Sequence, residues 1–167
     1  MIILGSKLDE LYTNSINAII AFGKRSNPRE METTEIISPL LILSPQSEIP
    51  IIKNKARKLN YAFQIIEGLQ YLEGTMDVER LCHYNKQMRN YVNEMTGDFD
   101  GAYGPRMKRQ INDCFTKLKQ DKNSRHAVVS IFEKNDHIKS KDVPCTLTLQ
   151  FLIRDDKLDM IVNMRSN

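Results

Sequence analysis

Apolar residues recur at a helical period through the first two-thirds of the chain and at a strand period through the last third. Leu8, Leu11, Tyr12, Ile16, Ile19 and Ile20 fall on one stripe, which predicts an amphipathic helix over residues 7–22 ended by Gly23. The polar run "KRSNPREMETT" predicts a loop. "EIISPLLIL" predicts a strand, which Pro39 confines to an edge or a bulged position. A long helix follows, with Leu59, Ala62, Phe63, Ile66, Leu69 and Leu72 on one face and "EGT" closing it. Val78, Leu81, Cys82 and Met88 predict another over about 77–90. The turn-rich "TGDFDGAYGPR" then leads into a helix striped by Met107, Ile111, Cys114, Phe115 and Leu118.

The period then changes. "RHAVVSIFE", "CTLTLQFLIR" and "LDMIVNMR" read as three strands rich in β-branched and aromatic residues, the last two joined by "DDK", a hairpin signal. Helices early and antiparallel strands late define an α+β class, with an antiparallel or mixed sheet packed by helices. No repeat, low-complexity tract or linker divides the chain, so one domain over residues 1–167 is expected. The predicted sheet has fewer strands than the usual five or so, and its last strand runs to the end of the sequence, so the domain is expected to be incomplete on its C-terminal side.

Composition narrows the function classes. In 167 residues, an apolar fraction of 41% and a charged fraction of 27% are ordinary for a soluble protein. "MIILGSKLDELY" lacks the basic start of a leader, and no run approaches the roughly 18 apolar residues of a membrane span. The three cysteines Cys82, Cys114 and Cys145 have no metal-ligand spacing and are odd in number, which leads us to expect a reducing cytoplasm, no metal and no membrane partner. A net charge of +3 is too mild for a nucleic-acid-coating role, and "RMKRQ" at 106–110 reads as a solvated helix face.

Two residues carry candidate chemistry. Cys145 follows Pro144 at the mouth of a strand, and simple alternation places it with Leu147, Leu149 and Phe151, where an inert buried thiol is the plain reading. Against this, Arg125 and His126 open the preceding strand and Arg165 closes the following one. Cations of that kind favour a nucleophilic thiolate and equally suit a phosphate. Glu67 lies at the edge of its helix stripe, either as a solvated carboxylate or as a half-buried one able to move protons.

Taken in order, "EGLQYLEGT", "GAYGPRM", "NSRHAVVSIF", "VPC" with "QF" five residues after the cysteine, and "MRS" ending the last strand resemble the thymidylate synthase superfamily from about residue 30 onward. The resemblance implies that fold, a homodimer, and folate-dependent methylation of C5 of a pyrimidine deoxynucleotide, dUMP to dTMP, with 5,10-methylenetetrahydrofolate as co-substrate. It places Cys145 as the nucleophile adding to C6 and so generating a carbanion-like C5. Glu67 becomes the carboxylate that organises water and shuttles protons, and Tyr103 the tyrosine that assists proton removal from C5. Arg125, reaching into the partner's site, Arg165 and Ser166 are implied phosphate contacts, with Arg25 as a further phosphate arginine for which Arg29 competes. Gln150 is implied on the strand beneath the substrate.

The chain departs from the family pattern at several points. Thr146 stands where a histidine is usual, and His126 where a second arginine is usual. The sequence has no tryptophan, which leaves Tyr91 as the nearest aromatic on the folate side. Since the usual tryptophan shields the one-carbon intermediate, and "RSN" is similar to phage deoxycytidylate hydroxymethylase, a dCMP or dUMP hydroxymethylase is the alternative. A nucleotide-binding remnant without catalysis is a third reading. The resemblance also implies that a chain without the family's C-terminal part is inactive alone.

Overall fold

The change of period near residue 125 coincides with the start of the largest sheet. The computed structural model describes residues 1–44, 51–138 and 142–166. The chain forms two units, Met1–Leu59 and Asn60–Asn167.

In the first unit, β1 (Ile2–Gly5) pairs in parallel with β4 (Leu40–Leu43), and α1 (Leu8–Phe22) packs on both. Ile3 and Leu11 are buried. Gly5 lets the helix approach, because a Cβ there would lie 2.6 Å from the Leu11 Cβ. Two expectations are corrected in this unit. The polar run after Gly23 is a small hairpin, β2 (Lys24–Ser26) against β3 (Thr33–Glu35), rather than a loop. Within "EIISPLLIL" only Leu40–Leu43 forms a whole strand, Glu35 being the last residue of β3, and Ser38 at a positive φ of 51° stands just before Pro39 between the two sheets.

The second unit begins with a designed stop and start. Asn60 caps α2 (Tyr61–Glu73) by accepting from the Phe63 amide at 3.0 Å, and its own amide group donates to the Tyr84 carbonyl at 2.7 Å. Gly74 ends the helix in the left-handed region at φ 69°, with the Thr75 amide returning to the Gln70 carbonyl at 3.0 Å. The helix expected over 77–90 is broken. α3 (Val78–Tyr84) stops at Asn85, whose extended backbone and side-chain acceptor start a separate 3-10 turn over 86–91. The buried Gln70 side chain bonds both backbone groups of Asp77 and so ties α2 to the start of α3.

α4 (Tyr103–Gln120) lies against β5 (Val128–Ser130). β5 pairs with β6 (Thr146–Arg154), which pairs with β7 (Lys157–Met164), all antiparallel. Met107, Cys114, Ala127, Val129 and Ile131 form the core between helix and sheet. A second cluster, Leu81, Cys82 and Phe99, lies beneath α2 and α3. Gly104 permits the start of α4 to press on the end of α2, since a Cβ there would stand 2.4 Å from the Thr75 carbonyl oxygen and 2.7 Å from that of Gln70. The "RMKRQ" segment is corrected at Arg106. This residue is not solvated: its side chain is 7% exposed and forms a two-pronged pair with Asp136 at 2.6 and 2.9 Å.

The hairpin joining β6 and β7 turns on Asp155 and Asp156, both at positive φ. This turn sets Arg154 opposite Lys157 and the rest of the register up to Thr148 opposite Asn163. Between Thr148 and Thr146 the register shifts by one, with Leu147 as the extra residue of a bulge. No helix among the described residues is long and apolar enough to cross a membrane.

Candidate active site

The bulge at Leu147 decides where Cys145 points. With unbroken alternation, Cys145 would share the buried face of Leu149 and Phe151. The shift by one residue gives that face to Thr146, which is 7% exposed, and leaves Cys145 half-buried at the mouth of β6. The expected inert face is therefore overturned by one inserted residue. Cys82 and Cys114, by contrast, are buried in the two cores.

The same shift sets Cys145 beside the end of β7. The Arg165 amide donates to the Cys145 carbonyl at 2.9 Å, and the Ser166 hydroxyl donates to the Cys145 Sγ at 3.3 Å. Arg165 Nη2 stands 4.0 Å from that sulfur. The guanidinium is oriented by the Pro144 carbonyl at 2.9 Å from Nε and by the Val143 carbonyl at 2.8 Å from Nη2. A hydroxyl donor and a guanidinium held in place by two carbonyls thus stand beside the Cys145 sulfur.

Behind the cysteine stands Tyr103, the first residue of α4 rather than part of a loop. Its hydroxyl oxygen accepts from the Cys145 amide at 3.1 Å and the Thr146 amide at 3.0 Å. Its ring stacks on Tyr71, with centroids 5.3 Å apart and planes 16° from parallel. Tyr71 sits one helical turn after Glu67 and hydrogen-bonds its carboxyl. Glu67, Tyr71, Tyr103 and Asp142 line one small pocket of about 90 Å³.

The carboxyl groups there are not ordinary surface acids. Burial pushes the Glu67 carboxyl above the usual carboxylate range, and the Tyr71 hydrogen bond only partly offsets this. Burial also raises Asp142, against the hydrogen bond from Gly101. Tyr71 is raised well beyond the usual phenol, first by burial and then by the charge of Glu67. A raised carboxyl contributes stability in its protonated form, so the Glu67 contribution is present below the ordinary carboxylate pKa and is lost as pH rises through the raised value. Glu67→Gln should therefore raise the thermal midpoint at neutral pH, with the gain shrinking on acidification. A variant less stable than the parent at neutral pH would contradict the burial of that charge.

Cys145, Tyr103, Arg165 and Ser166 thus meet directly, and Glu67 reaches them through the tyrosine pair. Gln150, Arg125 and His126 form another group along β6 and at the start of β5. The Gln150 amide donates to the Arg125 carbonyl at 3.1 Å, and the Arg125 and His126 side chains are exposed. Tyr91 ends the 3-10 turn, is 45% exposed, and does not line the Glu67 pocket. Arg25 lies in the other unit, on the exposed β2–β3 hairpin. Asn167 of the "RSN" run lies outside the described residues. Two titratable pocket residues, Tyr71 and Asp142, escaped the sequence reading. Tyr71 was legible as the i+4 partner of Glu67, whereas no pattern signals Asp142.

An α+β unit that presents a thiol between a hydroxyl donor and a fixed guanidinium, with a half-buried carboxyl behind it, has the parts of a nucleophilic-cysteine enzyme for an anionic substrate. A family model described as thymidylate synthase matches residues 10–167, and the chain belongs to that family. It is similar to the deoxyuridylate hydroxymethyltransferase of Bacillus phage SP01, at 33% identity over 98% of this chain and 47% of the relative. It is also similar to the deoxyuridylate hydroxymethyltransferase of Pseudomonas phage M6, at 34% identity over 66% of this chain and 34% of the relative. The chain thus spans about half or less of the length of these curated relatives. Among solved structures, thymidylate synthase A from Bacillus subtilis shares the fold, with a TM-score of 0.51 at 20% identity over 63% of this chain and 42% of that one.

Proposed function

We propose that this chain carries the nucleophile-bearing part of an enzyme that transfers a one-carbon unit to C5 of deoxyuridylate. The observation that carries the reading is the convergence of Arg165, Ser166 and Tyr103 on Cys145. Cys145 Sγ bonds to C6, and the electrons of the C5–C6 double bond move toward C5, which then attacks the one-carbon unit. Loss of the C5 proton expels the nitrogen of the one-carbon carrier, and water or hydride then adds to the resulting C5 methylene as the cysteine leaves, which restores the ring double bond. Glu67, half-buried and raised, suits the proton transfers. Arg165 and Ser166 are in reach of an anionic group at the site, while Arg125 and His126 present exposed cationic or polar groups consistent with a site completed by a second subunit. Methylenetetrahydrofolate is the one-carbon donor of this reading. The pocket beside Tyr103, about 90 Å³, is far smaller than the roughly 300 Å³ of a typical ligand site.

Methyl and hydroxymethyl products share this chemistry up to the one-carbon intermediate. The hydroxymethyl product is favoured by the phage SP01 relative, which aligns over nearly the whole chain. Those relatives' names also favour uracil over cytosine. Chromatography of the products from dUMP and methylenetetrahydrofolate tests this, with hydroxymethyl-dUMP expected. Thymidylate as the main product would return the reading to methylation, and turnover of dCMP in preference to dUMP would overturn the choice of base.

A further inference from the structure

The residues around Cys145 are held from two sides. On the carbonyl side, the Arg165 guanidinium bonds Val143 and Pro144. On the amide side, the Tyr103 hydroxyl bonds Cys145 and Thr146. Tyr103 itself hangs on the turn before α4, and that turn has its own anchor. The Gly101 amide donates to Asp142 Oδ2 at 2.7 Å. Turn and carboxyl are in close contact, since a Cβ at Gly101 would stand 3.0 Å from the Asp142 carbonyl oxygen and 3.1 Å from its Oδ1.

These bonds close a ring. Asp142 reaches by its side chain to Gly101, the backbone continues to Tyr103, and the Tyr103 side chain returns to Cys145, three residues after Asp142. We propose that Asp142 is a positioning residue for Cys145, acting through Gly101 and Tyr103 on the two amides at the mouth of β6. The inference deepens the functional reading above and rests on it for its kinetic consequence. A carboxyl in this half-buried place is costly unless it is used. Its use is structural at short range: it fixes the direction of the Tyr103 ring, which must satisfy two amides at once while stacked on Tyr71. Arg106 holds the same turn from below by donating to the Asp100 carbonyl, so the turn is pinned at adjacent residues.

Amide hydrogen exchange of the full chain, resolved by residue, tests the ring. Asp142→Ala is expected to speed exchange at the Cys145 and Thr146 amides by about tenfold or more. The Phe151 amide, bonded to Ala127 within the sheet, should stay within about twofold. Asp142→Asn should restore protection, because its carboxamide oxygen accepts the same Gly101 bond. Unchanged protection at Cys145 and Thr146, or an equal rise along all of β6, overturns the proposal. Should Asp142→Ala fail to fold, Tyr103→Phe decides, since it removes the acceptor and keeps the stacked ring. Protected amides in that variant overturn the route. In turnover of dUMP, Asp142→Ala should lower kcat about tenfold with KM within about twofold, and Asp142→Asn should recover it. The kinetic comparison applies to an assembly that turns over dUMP, and in this chain alone the exchange pattern decides the ring.

Discussion

In an assembly that turns over deoxyuridylate, Cys145→Ala should abolish release of the C5 proton, lowering its rate by about 10³-fold or more. The size follows from what the thiol does. Without a bond to C6 there is no route to a carbanion-like C5, and no neighbouring group can substitute: Ser166 is a hydroxyl donor to the sulfur, and Arg165 is a fixed cation. Tritium release from C5-labelled dUMP reads the effect. Cys145→Ser should fall nearly as far, because a hydroxyl at the same place is far less ionised than a thiol. Stability should barely change, since Cys145 is half-buried at the strand mouth and outside the core face. Cys114→Ala offers the contrast, as a buried cysteine whose loss affects packing and leaves C5 chemistry intact. A Cys145→Ala protein that still releases tritium at the parental rate would remove the thiol from the reaction.

Arg106→Ala is expected to destabilise the second unit by about 3–5 kcal/mol. The Asp136 side chain is 0% exposed and the Arg106 side chain 7%, so removing the guanidinium strands a buried carboxylate. It also removes the donors to the Ile131 and Asp100 carbonyls. Glu133 contributes little, being 3.8 Å away and 59% exposed. In a unit of this size each kcal/mol moves the thermal midpoint by roughly 4–8 °C, so the midpoint should fall by roughly 12–40 °C. Arg106→Lys should recover only part, because a single ammonium cannot make the two-pronged bond. Urea unfolding gives the number, and a loss below about 1 kcal/mol would mean that water screens the pair. Burial is the largest single influence and opposes the Arg106 charge, but the Asp136 hydrogen bond together with the charges of Asp136, Glu133 and Asp142 more than offsets it.

These two residues show what the sequence could and could not reveal. The long helices were legible because their stripes run over several turns: α2 and α4 fall where Leu59–Leu72 and Met107–Leu118 predicted them. The β6–β7 hairpin was legible from alternation and from two aspartates in the turn. Short elements were not. β1 has four residues, too few to show a period, and it gains its partner from Leu40–Leu43, far along the chain. The helix read over 77–90 failed at Asn85, where one side chain competes with the backbone for hydrogen bonds. Arg106 looked solvated because periodicity gives a residue's direction along a helix and says nothing of what lies there, which is Asp136, thirty residues on. The orientation of Cys145 turned on the bulge at Leu147, which alternation cannot foresee. The chemistry of the site was carried by the five ordered motifs of the resemblance, while the ring through Asp142 needed the fold to bring residues 101 and 142 together.

On the proposed function, Cys145 forms a covalent bond to C6 of a deoxyuridylate. Incubating the protein with dUMP and methylenetetrahydrofolate, quenching with acid and mapping the peptides by mass spectrometry tests it most directly. A nucleotide mass is expected on the peptide that holds Cys145, absent in Cys145→Ala and absent from the peptides of Cys82 and Cys114. Turnover of dUMP with no adduct at Cys145, or an adduct that persists in Cys145→Ala, would contradict it.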